Sequence, residues 1–319
     1  MSGKRVMLLV QIALAVGLLA LLWRLADGAE AARRLASAHP GWLMAAFVAL
    51  TLQTVLSALR WRLTAGQLGI ALDRPTAVRE YYLSQLINQA LPGGVLGDAA
   101  RAVRSRAAAG LLASGQAVAF ERLAGQIGLY GVFAAAVLAS LAAPGVAWPC
   151  WLWPPLLALI LGLPLVTLAL FAIVRLLPGR VGRALHAFAG AAAHALAAPA
   201  VVWRQIGLSL ATALCNVLAF AFCAFAVGAD LSLLAALTVV PMILFAMVVP
   251  LTVSGWGVRE GAAAALFPLA GASAAEGLAA SVAFGLIFLA AVLPALVTML
   301  RAPRQIGRAA ARPLPSRRD

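Results

Sequence analysis

Charged residues are scarce in this chain, and their scarcity excludes a soluble globular domain. Only 11% of the 319 residues are charged and 64% are hydrophobic, whereas an ordinary soluble domain has roughly a quarter charged residues. The uncharged runs are Val6–Trp23, Leu35–Leu59, Leu123–Val174, Gln205–Ala229, Leu231–Val258 and Gly277–Leu300. Each can cross a hydrocarbon core of about 30 Å as a helix, and the third can cross twice. The sequence predicts an all-α, polytopic helical membrane protein with about 7–8 spans.

Cysteine and histidine are also rare, with three of each. Cys150, Cys215 and Cys223 form no CxxC pair, which excludes a disulfide framework and a cysteine metal site. We interpret His186 and His194 as interfacial polar residues, because a zinc site needs three or four ligands. The GxxxxGK[ST] motif of ATP-driven pumps is absent from the sequence. We therefore expect no metal and no cofactor, and any transport would be downhill or coupled to a gradient.

The net charge of +14 comes from basic residues in short loops and in the tail "RAPRQIGRAAARPLPSRRD". This distribution orients membrane proteins with the positive side in the cytoplasm, so we expect no nucleic-acid partner. The arginine- and alanine-rich composition is typical of a bacterial protein, and we expect the bacterial cytoplasmic (inner) membrane, with both termini cytoplasmic. Residues 1–303 are predicted to form the membrane domain and residues 304–319 a basic cytoplasmic tail.

Two segments are poor spans, Tyr81–Gly97 and Gly261–Ser273. Each adjoins a Pro/Gly break with an arginine and a carboxylate at or next to it: "PGGVLGDAAR" (Pro92–Arg101) and "PLTVSGWGVR" (Pro250–Arg259, followed by Glu260). We predict two re-entrant or broken helices at these breaks. Such pairs of interrupted hydrophobic segments indicate the central site of a transporter.

The two breaks also align with each other as P-x-x-V-x-G-x-x-x-R. This alignment suggests an inverted repeat whose halves are residues 1–175 and 176–303. The repeat remains a hypothesis at this point, since glycine and valine are common in the chain.

The charges at the breaks suggest a phosphate site. A charge within the hydrocarbon region costs several kcal/mol unless it is paired or faces a wet cavity, and a helix N-terminus beside an arginine is suited to phosphate. We predict that a lipid phosphate is bound by Arg101, Arg259 and Arg104. The charge-balancing or proton-carrying residues are predicted to be Asp98, Glu121 and Glu260, with Arg122 as a pairing residue. The polar head-group contacts are predicted to be Asn88 and Ser254. The residues predicted to break the backbone are Pro92, Gly93, Gly94, Gly97, Pro250, Gly255, Gly257 and Gly261.

Each of these assignments has a structural alternative. Arg259–Glu260 could lie in an interfacial loop, and Asp98 could simply cap a helix. Glu121–Arg122 could be an interhelical salt bridge or a cytoplasmic stop before the next span; in the functional alternative, Glu121 pairs with Arg101 or Arg259, or titrates. Asn88 could hold helices together.

Three blocks resemble a known family: "NQALPGGVLGDAAR" (Asn88–Arg101), "ERL" (Glu121–Leu123) and "SGWGVREG" (Ser254–Gly261). In residues, order and spacing they are similar to the signature blocks of the lysylphosphatidylglycerol synthase transmembrane-region family, a flippase-like domain. The resemblance covers nearly the whole chain and implies a helical domain that moves or accommodates lipids. Full synthases add a soluble aminoacyltransferase domain, whereas this chain ends at Asp319 soon after its last span, so we do not expect aminoacyl transfer.

The preferred hypothesis is a lipid translocase for an anionic or head-group-modified lipid, such as an aminoacyl- or glyco-phospholipid, a polyprenyl phosphate or a hopanoid-type lipid. One alternative is a membrane-embedded lipid-modifying enzyme with Glu121 or Glu260 as general base. Another is a non-catalytic accessory subunit of a lipid-synthesis enzyme, in which the motif charges are structural. The expected partners are a membrane lipid and, under the last alternative, that enzyme.

Overall fold

The chain folds into a bundle of helices, seen in a computed structural model that describes residues 13, 16–90, 94–142, 149–247 and 255–300. These residues contain no strand, and the all-α prediction is confirmed. The helices are α1 Val16–Leu25, α2 Gly28–Ala36, α3 Pro40–Gln67, α4 Arg74–Ala90, α5 Leu96–Ala142, α6 Trp153–Leu176, α7 Gly179–Ala197, α8 Val202–Ala226, α9 Leu233–Ala246, α10 Val258–Leu266, α11 Ala274–Val292 and α12 Pro294–Leu300.

Five helical segments in the described part are long and apolar enough to cross a membrane, which confirms the multi-pass class. They are Pro40–Gln67, Leu96–Ser140, Cys150–Ala169, Val202–Ala226 and Ala274–Val297. The predicted span Leu231–Val258 is not one continuous helix. Its described part forms α9, which ends at Ala246 after 14 residues, and α10 begins at Val258 after Gly257, whose φ is 86°; residues 248–254 lie outside the described part.

Helices α3 and α8 pack against each other along their length in opposite directions. The His39 N–H donates to the Ala226 carbonyl (2.8 Å) at one end, and Gln205 Nε2 donates to Thr64 Oγ1 (2.8 Å) at the other. The C-terminus of α3 therefore lies beside the N-terminus of α8. We call the two ends of the bundle the Gln67 end and the Ala226 end.

A first helical hairpin enters the bundle from the Gln67 end. It consists of α4 and the beginning of α5, which packs back against α4: the Gly97 N–H donates to Asn88 Oδ1 (2.7 Å). Only glycine allows this approach, because a Cβ at position 97 would lie 1.9 Å from the Ser84 carbonyl oxygen. The predicted broken helix at Tyr81–Gly97 is therefore a pair of antiparallel arms.

Helix α5 itself reverses direction at Gly110. This residue has φ 85° and ψ 166°, a conformation that is essentially restricted to glycine. Arg101 and Glu121 lie 20 residues apart and are hydrogen-bonded, although a straight helix would separate them by roughly 30 Å. The first arm of α5, residues 96–108, thus runs back to the Gln67 end, and the second arm, residues 111–142, crosses the bundle.

A second hairpin, α9 followed by α10, enters from the Ala226 end. Arg34 binds both its entrance and its exit, since Nη1 donates to the Val227 carbonyl (3.3 Å) and pairs with Glu276 (2.9 Å). The two hairpins thus enter from opposite ends, as an inverted repeat requires. The aligned glycines nevertheless differ, because Gly97 is helical and Gly255 has φ 77°, and the repeat stays a prediction.

Candidate functional site

A network of mostly buried charged side chains joins the first hairpin to α3. We call it the Glu121 cluster. Its charged members are Arg60 on α3 and Asp98, Arg101, Glu121 and Arg122 on α5. The hairpin geometry explains the grouping, because the reversal at Gly110 places the first turns of α5 beside residues 121 and 122 of its second arm.

Both oxygens of the Glu121 carboxylate accept hydrogen bonds. Oε1 accepts from Arg60 Nη2 (2.7 Å) and from the Tyr81 hydroxyl (3.1 Å). Oε2 accepts from Arg101 Nη2 (3.2 Å). The side chain is 0% exposed, so these donors replace the water that a charged carboxylate would otherwise need.

Both oxygens of the Asp98 carboxylate also accept hydrogen bonds. Its Oδ1 accepts from Ser84 Oγ and from Arg101 Nη2, both at 2.9 Å. Its Oδ2 accepts from Arg122 Nη2 (2.5 Å) and from Asn88 Nδ2 (3.3 Å). The side chains of Ser84 and Asn88 tie Asp98 on α5 to α4, and Asn88 also accepts from the Gly97 N–H at the start of α5.

Arg101 lies at the centre of the cluster with a side chain that is 0% exposed. The carbon of its guanidinium is 4.5 Å from the ring centroids of both Trp61 and Tyr81, a cation–π arrangement. Its Nε and Nη1 have no hydrogen-bond partner among the described residues, and neither do Trp61 Nε1 and Arg60 Nε. Four buried N–H-bearing nitrogens thus remain unused on three adjacent side chains.

The Glu121 cluster also has more positive than negative charge. Arg60, Arg101 and Arg122 face two carboxylates, Asp98 and Glu121, which leaves one positive charge unmatched. The neighbouring pair of Arg104 and Glu80 is neutral and does not change this balance. The excess charge includes Arg122, whose side chain is 48% exposed, whereas the unused donors lie on the buried side chains of Arg60, Trp61 and Arg101. An anion placed against these donors would be stabilised by both the charge and the hydrogen bonds.

The second hairpin contains a smaller network, which we call the Arg259 cluster. Arg259 Nη2 donates to Glu260 Oε1 (2.5 Å), and Arg259 Nε donates to Ser281 Oγ (2.9 Å) on α11. Glu260 Oε2 accepts from the Gly257 N–H (2.6 Å) and so caps α10. Arg259 also lies 5.0 Å from the ring centroid of Trp256. Its one positive charge and one negative charge balance.

The two clusters lie at different depths in the bundle. Thr212, which accepts from Arg60 Nη1 (2.7 Å), precedes Val227 at the Ala226 end by about 15 residues, or roughly 22 Å of helix. Ser281 follows Glu276 at the same end by about 5 residues, or roughly 8 Å. The Glu121 cluster is therefore near the middle of the bundle, whereas the Arg259 cluster is nearer the Ala226 end.

The structure brings together some of the residues predicted for the site and separates others. Asp98, Arg101, Glu121 and Arg122 meet in one network, and Arg104 lies beside it with Glu80. Of the two proposed partners of Glu121, it binds Arg101 and not Arg259. Gly94, Gly255 and Gly257 have positive φ at the edges of the breaks, and Gly261 lies inside α10. The predicted residues Pro92, Gly93, Pro250 and Ser254 lie outside the described residues.

Sequence reasoning missed Arg60. The uncharged run Leu35–Leu59 predicted a span that ends before Arg60, but α3 continues to Gln67 and Arg60 is buried. A signal was present, because buried polar residues recur along α3 at helical spacing. They are Gln53, Ser57, Arg60 and Thr64, and such a stripe on an apolar helix marks a face turned to the bundle interior.

In the described part of the chain, no group of three or more His, Cys, Asp or Glu side chains could hold a metal ion. The candidate site consists of arginine, carboxylate, aromatic and hydroxyl groups. Guanidinium groups and unused N–H donors of this kind are chemically suited to anions.

Comparison with known proteins agrees with the three signature blocks. The family model described as lysylphosphatidylglycerol synthase TM region matches residues 8–295. No curated protein and no solved structure was found to match the chain. Together with the apolar helices, the match indicates a multi-pass membrane protein related to lipid modification or flipping. The chain therefore belongs to the lysylphosphatidylglycerol synthase TM region family.

Proposed function

We propose that this protein is a lipid translocase that binds the phosphate of an anionic lipid at the Glu121 cluster. The observation that carries the proposal is the set of unused donors at Arg101, whose Nε and Nη1 have no hydrogen-bond partner in the described part of the chain although the side chain is fully buried. Arginine donates to phosphate in a planar, often bidentate geometry. The Glu121 cluster lies near the middle of the bundle, a depth that suits a binding site for a lipid that passes between the two faces of the membrane.

Two partly exposed arginines give a phosphate a route to Arg101. The side chains of Arg122 and Arg104 are 48% and 33% exposed, and Arg122 is bonded to the same carboxylate as Arg101. A phosphate that binds Arg122 first can reach Arg101 if the hairpin arms separate. Gly110 and the break between α4 and α5 are the positions where the backbone can change direction.

Arg259 has a different place in this proposal. Its guanidinium is already bonded to Glu260 and Ser281, so it can bind a phosphate only by exchanging one of these partners for it. We therefore assign the buried phosphate contact to Arg101. Arg259 would act later or would stabilise the second hairpin.

The enzyme alternative receives less support from the geometry. A general base needs an oxygen within reach of the proton that it abstracts. Both oxygens of Glu121 and both oxygens of Glu260 already accept hydrogen bonds inside the protein. These contacts suit carboxylates that balance arginine charges, as the translocase proposal requires.

The proposal also includes an orientation, with the Gln67 end of the bundle on the cytoplasmic side of a bacterial inner membrane. The residues that support it are the arginines near that end, which are Arg62, Arg74, Arg79, Arg104 and Arg106. Positive residues in short loops mark the cytoplasmic side. In this orientation the Glu121 cluster is reached from the cytoplasmic leaflet through the first hairpin.

The test is movement of a fluorescent anionic lipid in proteoliposomes. Phosphatidylglycerol with an NBD-labelled acyl chain is placed in both leaflets, and dithionite bleaches only the outer one. Wild-type protein should raise the bleached fraction well above half. Arg101→Gln should remove that increase, because Gln keeps part of the side-chain volume but removes the charge.

The matched control is Arg204→Gln, which removes an exposed arginine on α8 at the Gln67 end. Proteoliposomes with this variant should show the same bleached fraction of labelled lipid as those with the wild type. A folded Arg101→Gln variant that moves phosphatidylglycerol as fast as the wild type would overturn the proposal. So would a wild-type protein that moves no anionic lipid.

A further inference from the structure

A groove of about 570 Å³ opens at the Ala226 end, and none of its lining residues belongs to the Glu121 or the Arg259 cluster. It lies between α2, the start of α3 and the end of α8. The residues that line it are Glu30, Arg33, Arg34, Ser37, His39, Trp42, Phe225, Ala226, Val227 and Gly228. Its volume falls within the range of sites for small molecules, roughly 300–1,000 Å³.

The polar wall of the groove contains two arginines bound to Glu30, of which Arg33 is the more exposed. Glu30 accepts from Arg33 Nη2 (2.7 Å) and from Arg34 Nε (2.8 Å). Arg34 is held further by Glu276 and by the Val227 carbonyl. Arg33, by contrast, has a side chain that is 71% exposed, and its bonds use only Nε and Nη2. Its Nη1 is left for a ligand.

His39 supplies a second donor on the same wall. Its Nδ1 accepts a hydrogen bond from the Gly41 N–H (3.2 Å), so in the neutral ring the proton is on Nε2. The residue is exposed and lines the groove. Arg33 and His39 thus both line the groove, and each has an N–H group, Nη1 and Nε2, that is not used in the hydrogen bonds to the described residues given above.

The lining of the groove also includes aromatic side chains, Trp42 and Phe225. Trp42 stacks on Phe222, with ring centroids 5.6 Å apart and an interplanar angle of 22°, and it contacts Phe225 at 5.4 Å. Trp42 is nevertheless 42% exposed. A tryptophan that is anchored on one side and open on the other is typical of the membrane–water interface. The groove therefore has a polar side and an apolar side at one end of the bundle.

We propose that this groove binds the head group of a phospholipid, with the lipid phosphate accepting from Arg33 Nη1 and His39 Nε2. Glu30 borders the rest of the head group, and the acyl chains leave along Trp42. Trp42 precedes Arg60 by about 18 residues, or roughly 27 Å of α3, so the groove faces the leaflet opposite to the Gln67 end. It adds a second binding site to the proposed translocase, but lipid binding in the groove does not require transport.

The test is protection of a thiol placed in the groove. Ser37→Cys is introduced together with Cys150→Ser, because Cys150 is exposed whereas Cys215 and Cys223 are buried. The full chain is purified in detergent free of phospholipid and reacted with a maleimide. Labelling rates are measured with phosphatidylglycerol, with diacylglycerol, which lacks the phosphate, and with glycerol 3-phosphate, which lacks the chains.

We expect phosphatidylglycerol alone to protect the thiol. A lipid concentration about four times the Kd should slow labelling about fivefold. Adding Arg33→Gln should abolish this protection, whereas Arg24→Gln, which removes an exposed arginine outside the groove, should preserve it. Equal protection by diacylglycerol would overturn the phosphate contact, and equal protection by glycerol 3-phosphate would overturn the lipid as the ligand. An absence of protection in all arms would overturn the site.

A further variant separates this inference from the proposed function. Arg101→Gln should leave protection by phosphatidylglycerol unchanged, because Arg101 lies at the other site. Protection in a wild-type protein that moves no lipid would remove the proposed function and keep the groove site. Loss of protection in Arg101→Gln would overturn the groove as an independent site.

Discussion

The two buried charge clusters are built from the same kinds of residues and differ in their electrostatic state. In the Arg259 cluster one guanidinium faces one carboxylate, and a serine and a backbone N–H complete their bonds. In the Glu121 cluster three arginines face two carboxylates, and Arg101 keeps two nitrogens without partners. The charges of the Arg259 cluster therefore balance, whereas the Glu121 cluster has one more positive than negative charge.

This difference shows that a buried arginine next to a Pro/Gly break is not by itself evidence of a binding site. Removing one partner of a buried ion pair leaves the other as an uncompensated charge. In the Glu121 cluster that argument applies to the carboxylates, since each neutralises more than one arginine. Removing Arg101 is different, because Glu121 keeps Arg60 and Asp98 keeps Arg122. A substitution of Arg101 can therefore remove function without a large loss of stability.

The largest effect is expected for Glu121→Ala. The substitution leaves Arg60 and Arg101 buried without their shared carboxylate, and removing one partner of such a network costs about 3–5 kcal/mol. Thermal unfolding in detergent, followed by the loss of monodisperse protein, should show a large fall in Tm or no folded protein. Glu121→Gln should lie between this variant and the wild type, and an unchanged Tm for Glu121→Ala would contradict the network.

Arg259→Ala should destabilise the protein by about 3 kcal/mol, the lower part of the range for a broken buried pair. Glu260 keeps its bonds to Ser281 and to the Gly257 N–H, which limits the loss. Lipid transport per folded Arg259→Ala molecule should be retained. It is measured by the dithionite assay and normalised for the amount of reconstituted protein. A stable Arg259→Ala variant without transport would instead support the phosphate-binding role predicted from the sequence.

Gly110→Ala should weaken the Glu121 cluster without touching the Arg259 cluster. Alanine at φ 85° and ψ 166° is strained, at a cost of about 1–3 kcal/mol. Gly115→Ala is the matched control, because that glycine is helical and a Cβ there meets no atom within 4 Å. Thermal unfolding should show a lower Tm for Gly110→Ala only. Equal Tm values for the two variants would argue against the sharp reversal of α5.

Arg101→Gln should change stability little and transport greatly. It removes two charged hydrogen bonds but also the unmatched positive charge, so we expect a net change within about 1 kcal/mol. Tm and lipid movement are measured on the same preparation. A fall in Tm as large as that of Glu121→Ala would identify Arg101 as a structural residue and remove the contrast between the clusters.

The smallest effect is expected at the exposed pair on α2. The hydrogen bond from Arg33 lowers the pKa of Glu30 below its usual value. A carboxyl with a lowered folded-state pKa stabilises the fold above its unfolded pKa, and that contribution is lost as the pH falls through the folded value. Tm of Glu30→Gln should match the wild type closely at pH 7, since exposed pairs contribute little. A clear drop would show that Glu30 does more than hold Arg33 and Arg34.

Much of the architecture could be predicted from local patterns. The apolar runs predicted a helical membrane protein, and the Pro/Gly breaks after Asn88 and before Arg259 predicted two interrupted hairpins. The pairing of Arg101 with Glu121 was one of the alternatives considered, since a buried carboxylate must find a cation. The span predicted for Leu231–Val258 was wrong, because hydropathy does not reveal that α9 ends at Ala246.

The sequence by itself determined the membrane class and the positions of the breaks, because hydropathy and backbone restrictions are local properties of the chain. Only the tertiary structure decided which charges share a site. Arg60 reaches Glu121 through the packing of α3 against α5, and Arg101 reaches it through the reversal at Gly110. The excess charge of one cluster and the neutrality of the other arise from these contacts between distant segments, and no local pattern contains them.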